Sequence, residues 1–235
     1  MKKSLPFLII VAVLLIVVGV TFALWKRSDG GHPNSNSTIA TNSAPAQTAA
    51  GSAPATSNAG ATKPNVKVSS PVVLEEFGDY QCPPCGQLHP ELKQIEREYG
   101  NQVQLVFHNF PLIKIHKNAL MAARAAEAAR NQDKFWEMHD LLYENQKEWA
   151  ELADAQPVFL GYARKLNLNI DKFTQDLTSN LVDQKISADI QRGETMGVTG
   201  TPTVFLDRQL LNYQATNLEG LRRGINLLLE RKAGS

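Results

Sequence analysis

The chain has only two cysteines, Cys82 and Cys85, and they stand between a strand-like run and a helix-like run. Residues 72–77, Val-Val-Leu-Glu-Glu-Phe, read as a strand in a largely buried sheet. Gly78-Asp79-Tyr80-Gln81 reads as a turn. From Cys82 onward Leu88, Leu92 and Ile95 form one stripe of a helix to about residue 99, which Gly100 ends. Residues 103–107 make a second strand. Strand, helix and strand at this spacing form a βαβ unit with parallel strands, and the first cysteine falls at the start of its helix. One pair of cysteines rules out a disulfide-stapled scaffold, which needs several bridges. It also rules out a zinc ribbon, which needs two pairs of ligands.

That placement points to redox chemistry. The reactive form of cysteine is the thiolate. A helix N-terminus stabilises negative charge through its dipole and unpaired amides, so Cys82 is the expected nucleophile. Cys85 lies one turn further in, within disulfide reach and more buried. The pair can therefore pass a disulfide to another protein through a mixed disulfide on Cys82 that Cys85 resolves. Pro83 and Pro84 are tolerated in a first helical turn. They also delete two N–H donors near the sulfur, so the Cys82 pKa is expected to fall, but short of the most activated thiols. Two alternatives stand beside this reading: a metal site in which His89 joins Cys82 and Cys85, and a structural disulfide, whose short loop would constrain little.

The rest of the folded part alternates in the same manner. Helical patterns cover 118–130, 135–143, 157–165, 171–177 and 181–195. A strand at 203–206 follows, with a hairpin partner at 209–213 across Asp207-Arg208, and a closing helix at 218–230. The order is βαβ, helical insert (about 112–200), ββα, an α/β fold. Met121, Phe135, Trp136 and Met138 read as the core of the insert, with a substrate groove as the alternative.

The N-terminal part differs in kind. Residues 1–27 contain an uncharged apolar run, 5–25, with Lys2 and Lys3 before it and Lys26 and Arg27 after it. At ~1.5 Å per residue it spans a hydrocarbon core of ~30 Å. It is long for a signal-peptide core, and Thr21-Phe22-Ala23 matches a cleavage site only loosely, so an uncleaved single transmembrane helix is expected. The short tail before it places the remainder outside the cytoplasm. Residues 28–65, built of Ser, Thr, Ala, Asn, Gly and Pro, read as a flexible, disordered linker. Residues 66–235 are the folded domain. A formal charge of +1, from 24 basic and 23 acidic residues, excludes a strongly basic nucleic-acid binder.

Residues 66–232 resemble the DsbA-like family of thioredoxin-fold proteins. The resemblance rests on Cys82-Pro83-Pro84-Cys85 after a strand, on His108-Asn109-Phe110-Pro111-Leu112 closing the second strand, and on Thr201-Pro202 before Val204. It implies a thioredoxin fold interrupted by the helical insert. It implies that Pro202 is cis and packs beside the cysteines, where the alternative is an ordinary trans proline. It implies that Thr201 offers backbone hydrogen bonds to an extended substrate strand. Glu76 matches the buried acid that relays a proton as Cys85 attacks; the alternative is a surface Glu76 with Glu75 buried instead.

The function so implied is a membrane-tethered, extracytoplasmic thiol–disulfide oxidoreductase of bacterial type that oxidises exported protein thiols. A quinone-linked membrane partner would reoxidise it. The redox group is the cysteine pair itself, so no cofactor and no metal is called for, and a monomer is expected. Pro-Pro stands where strongly oxidising members have Pro-His, which leaves the direction of electron flow open. A reductase or isomerase is the alternative within enzymes; a copper or zinc carrier or a chaperone is the alternative outside them.

Overall fold

The computed structural model describes residues 60–62 and 71–234. The expected membrane span, and the linker apart from residues 60–62, lie outside the described residues. Among the described residues no helix is long and apolar enough to cross a membrane.

Five strands form one sheet in the order β1-β3-β2-β4-β5. The central strand is β2 (Val72–Gly78), which pairs in parallel with β3 (Val103–Asn109), Leu74 opposite Leu105. Helix α1 (Pro83–Tyr99) connects them, so the expected βαβ unit is present. Its C-cap, Gly100, takes a positive φ of 51°. On its other side β2 pairs antiparallel with β4 (Thr203–Leu206), Glu76 opposite Val204. Asp207 and Arg208 both have positive φ, the geometry of a two-residue hairpin turn, and lead into β5. This strand holds only Gln209–Leu210 rather than 209–213, because the Asn212 side chain accepts from Gln214 N–H and starts a turn.

The edge beside β3 corrects the linker boundary. Ala61–Thr62, inside the span read as linker, form β1 and pair antiparallel with Phe107 and Val106. Backbone pairing at a sheet edge needs no apolar run, so composition could not reveal it. At Gly60 an added Cβ would lie 2.5 Å from the His108 ring, so that approach requires glycine.

One sheet face carries Val72, Leu74, Val103, Leu105, Val204 and Leu206, packed against α1 and the closing helix α8 (Leu218–Ala233). Six helices intervene between β3 and β4: α2 (Ala119–Arg130), α3 (Phe135–Glu144), α4 (Gln146–Trp149), α5 (Gln156–Lys165), α6 (Ile170–Asp176) and α7 (Asn180–Thr195). The one-turn α4 has no periodicity to announce it. Seven alanines make α2 narrow enough to be buried nearly all round. Phe135 and Met138 are buried in the same cluster, with Met121 and Trp136 packed against it, so these four residues are core.

The insert is locked to the other face of the sheet by charge. His108 on β3 is fully buried, with Nδ1 2.9 Å from Asp189 Oδ1 on α7 and Nε2 3.2 Å from Glu75 Oε2 on β2. Arg192, also on α7, reaches Glu75 Oε2 at 2.5 Å, and Phe77 stacks on the His108 ring. Glu75 is held down at about 2, chiefly by its hydrogen bond to His108, against burial and with help from Arg192. Burial opposes the charge on His108, but Asp189 and Glu75 together outweigh it and push its pKa up.

A pH profile follows. A raised histidine stabilises most below its unfolded pKa, near 6.5, and that contribution is lost as pH rises through the folded value. A depressed glutamate stabilises above about 4.5, and its contribution is lost as pH falls towards 2. Urea midpoints should therefore decline on both sides of a maximum near pH 5–6. His108→Phe, which strands two buried carboxylates, should cost about 3–5 kcal/mol at pH 6.

Candidate active site

The end of β2 delivers the cysteines. Cys82 is the N-cap of α1, with extended backbone (φ −70°, ψ 120°), and Pro83 opens the helix. Both cysteines are unbonded thiols. Cys85 is wholly buried, while Cys82 keeps 5% of its surface exposed. Across from them the Thr201–Pro202 peptide is cis, and Cys82 Sγ donates to Thr201 O at 3.4 Å.

The two sulfurs are unequal. Cys82 is pulled down to about 6, chiefly by the hydrogen bond from the Cys85 thiol. Burial opposes this, Thr201 and the Cys85 backbone N–H assist, and the charge of Asp79 opposes. The direction agrees with the expectation for a helix start carrying two prolines. Burial, first of all, pushes Cys85 well up, and Cys82 and Glu76 add to it.

Both glutamates of β2 are buried, on opposite faces of the sheet. The reading that only one of them would be buried is thereby corrected, because the insert covers the face that would otherwise meet solvent. Glu75 is paired as described. Glu76 points to the cysteine side, and its Oε1 has no hydrogen-bond partner. Burial, then the charge of Cys82, raises it to about 8.

Several residues that the sequence did not single out hold the motif loop. Asp79 is buried and accepts from Gln81 N–H (2.7 Å), Leu112 N–H (2.9 Å) and His116 Nδ1 (2.7 Å). The Gln81 side chain donates to Ala150 O and accepts from Asn118 N–H. Gln146, on α4, donates to Tyr80 O at 2.7 Å and to Cys82 O at 2.9 Å. These partners come from distant parts of the insert, so no local spacing marks them. His89 does not join the cysteines. Its Nε2 lies 3.0 Å from Asp140 Oδ1, and His89, His139 and Asp140 form the cluster instead. The packing of α1 on α3 brings the two histidines together, and their spacing along the chain gives no sign of it.

A thiol at a helix start, a buried partner sulfur, a buried acid and a cis-proline opposite are the arrangement of a dithiol–disulfide exchange centre on a thioredoxin fold. A family model described as Thioredoxin matches residues 67–226. The chain is similar to the probable disulfide bond formation protein D of Bacillus cereus, 32% identical over 173 residues, which cover 70% of this chain and 77% of that one. It is also similar in structure to oxidised BdbD from Bacillus subtilis, with a TM-score of 0.64 at 21% identity, covering 73% of this chain and 94% of that one. The Na(+)/H(+) antiporter NhaA 1 of Salinispora arenicola is 36% identical over 156 residues, 66% of this chain; the chain spans only 23% of that relative's length. The protein belongs to the thioredoxin family, among its DsbA-like thiol–disulfide oxidoreductases.

Gly86, directly after the motif, tests the clamp from the insert. A Cβ there would meet Gln146 Oε1 at 2.7 Å, so Gly86→Ala must displace Gln146 and its two hydrogen bonds. Gln146→Ala should cost about 1–3 kcal/mol, two hydrogen bonds' worth. Gly86→Ala should destabilise the wild type, yet stabilise Gln146→Ala by up to about 1 kcal/mol through helix propensity. Urea unfolding of the four proteins reads that change of sign.

Proposed function

We propose that this protein introduces disulfides into exported proteins, with Cys82 as nucleophile and Cys85 as resolving thiol. The observation that carries the reading is the inequality of the two sulfurs, about 6 for Cys82 against a strongly raised Cys85. A stabilised Cys82 thiolate favours the reduced pair and so makes the disulfide an oxidant. A substrate thiolate attacks Cys82 Sγ, the Cys82–Cys85 bond breaks, and its electron pair goes to the Cys85 sulfur. Glu76, protonated at neutral pH, gives that sulfur its proton. A second substrate thiolate then displaces Cys82, leaving the substrate oxidised.

Thr201 and Pro202 border an open groove of 590 Å³ that continues past Leu210, Leu211 and Tyr213. Leu210 and Tyr213 are largely exposed and offer apolar walls to an extended peptide. Met121, Phe135, Trp136 and Met138 are not among its lining residues. In this reading residues 5–25 anchor the chain in the bacterial cytoplasmic membrane, residues 28–65 tether the domain on the extracytoplasmic side, and a quinone-linked membrane partner reoxidises the pair. Tethering raises the local concentration of that partner.

The test is the reduction potential of the full chain, equilibrated against glutathione buffers. A thiolate near 6 lies between thioredoxin, about 7, and DsbA, about 3.5. The expected potential is accordingly about −240 to −180 mV, between about −270 and −120 mV for those two proteins. A value at or below about −270 mV would make the protein a reductant. Cys82→Ser should abolish oxidation of a reduced substrate protein, and Cys85→Ser should accumulate the mixed disulfide, visible as a protein-sized mass shift on a non-reducing gel.

A further inference from the structure

Each redox cycle loads and unloads a proton at Cys85 and Glu76, and both groups are out of reach of solvent. A route for that proton is needed. It rests on the reading of Glu76 given above. Asp79 is saturated by its three donors. Two tyrosines next to the pair are not. The Tyr143 hydroxyl is buried and has no hydrogen-bond partner. It occupies the space beside Gly78, 2.8 Å from where a Cβ would stand. Gly78 and Glu76 are two residues apart on β2 and share a sheet face, so the unpartnered hydroxyl and the unpartnered carboxyl oxygen face one chamber beneath the cysteines.

From there polar groups continue outward. The Tyr143 and Tyr80 rings are in contact, centroids 4.8 Å apart. The Tyr80 hydroxyl lies 3.1 Å from His139 Nδ1. One ligand atom each of His139, His89 and Asp140 lies within 4.8 Å of the others. Asp140 is half-buried and pairs with Lys93, whose side chain is 30% exposed. His89 and Tyr143 also line an open groove between α1 and the α3–α4 corner.

We propose that Tyr143 and Tyr80 are relay residues that carry protons between the buried Glu76–Cys85 pair and the His139–His89–Asp140 cluster. During resolution of a mixed disulfide, Cys85 S–H gives its proton to the Glu76 carboxylate. The Cys85 sulfur bonds to Cys82 Sγ, and the partner leaves as a thiolate with the electron pair of the broken bond. The Glu76 proton then passes to the Tyr143 hydroxyl as that hydroxyl gives its own to Tyr80, and Tyr80 gives its own to His139. Substrate oxidation runs the file inward. Each hop is concerted, so no tyrosinate accumulates, which the low-polarity site would oppose: burial raises both tyrosines well above their usual range. The titratable groups facing Tyr143 are Cys85 and His89 on α1, Glu76 on β2, Asp79 and Tyr80 in the motif loop and His139 on α3. Tyr80 also feels Glu127 and Arg130 on α2 and Asp140 on α3.

The experiment uses the full chain, carrying glutathione on Cys82 as a mixed disulfide formed near pH 4. A jump to pH 6–9 starts resolution, and glutathione release is followed in H₂O and D₂O. Glu76 starts protonated and must be emptied through the relay before Cys85 can attack. Tyr143→Phe and Tyr80→Phe keep the rings and should each slow release by at least about tenfold, the low side of a general acid–base contribution. Their solvent isotope effect should be larger than wild type, and their equilibrium potential and melting temperature unchanged. Wild-type rates in both variants overturn the relay. So does a slowing that is independent of pH, shows no isotope effect or comes with a lowered melting temperature, because that marks a packing role. Glu76→Gln separates the two readings: if it is slow while both tyrosine variants are fast, only the relay fails; if it is fast, the Glu76 reading itself fails.

Discussion

Two adjacent carboxylates on the central strand are taken out of water on opposite faces of the sheet, and they meet opposite fates. Glu75 is met by His108, with Asp189 behind it, and by Arg192, so its charge is satisfied and its pKa is low. Glu76 is met by no donor at Oε1, so burial drives it towards the neutral form. A buried carboxylate without a partner carries a desolvation penalty of several kcal/mol if ionised, and protonation near neutral pH relieves it. The first glutamate fastens the insert to the sheet. The second holds a transferable proton under the cysteines. Strand alternation places them on different faces, and one strand serves both tasks.

The insert also completes the active-site loop. Pro83 and Pro84 remove two N–H groups where an anion would use them. The polar contacts of the loop are met instead from elsewhere: Gln146 binds the carbonyls of Tyr80 and Cys82, Asn118 and Ala150 bind Gln81, and Leu112 and His116 bind Asp79. Each bond alone is worth about 0.5–1.5 kcal/mol net. Together they tie a turn of four residues to several separate segments of the insert. The loop therefore keeps its shape whether or not the two sulfurs are bonded. Asp79 exerts the opposite electrostatic influence, since its charge beside Cys82 resists the thiolate.

The elements that bury apolar stripes were readable in the sequence: β2, α1, β3, the alanine-rich α2, β4 and α8 all begin and end within a few residues of their patterns. The cysteine pair was readable because its chemistry depends on a local placement, a helix start. What could not be read depends on side chains that meet only after folding. His89 and His139 are far apart in sequence and become neighbours through the packing of α1 on α3. Gln146 sits in a one-turn helix too short to show a period. β1 pairs through backbone groups alone, inside a stretch whose composition is that of a linker. The pairing of Glu75 with Arg192 needs the register of α7 on the sheet, which no spacing along the chain encodes.

How far the two sulfurs differ decides which way electrons run, and here the difference is moderate. Thirty millivolts correspond to about 1.4 kcal/mol for a two-electron couple, a tenfold change in equilibrium. A Cys82 near 6 stabilises the reduced pair more than thioredoxin's, about 7, and less than DsbA's, about 3.5. Interpolation between about −270 and −120 mV gives roughly −230 mV. Structural disulfides of secreted proteins lie below about −300 mV, so a pair near −230 mV still oxidises their thiols by about 3 kcal/mol. A stronger oxidant is unnecessary for making such disulfides. What a mid-range pair gives up is drive against strained or mispaired disulfides, whose potentials are higher. Those it would leave alone or reduce, according to how completely its own disulfide is replenished. The direction of flow in this protein is therefore set jointly by the two prolines, which temper the Cys82 thiolate, and by the oxidant that restores the Cys82–Cys85 bond.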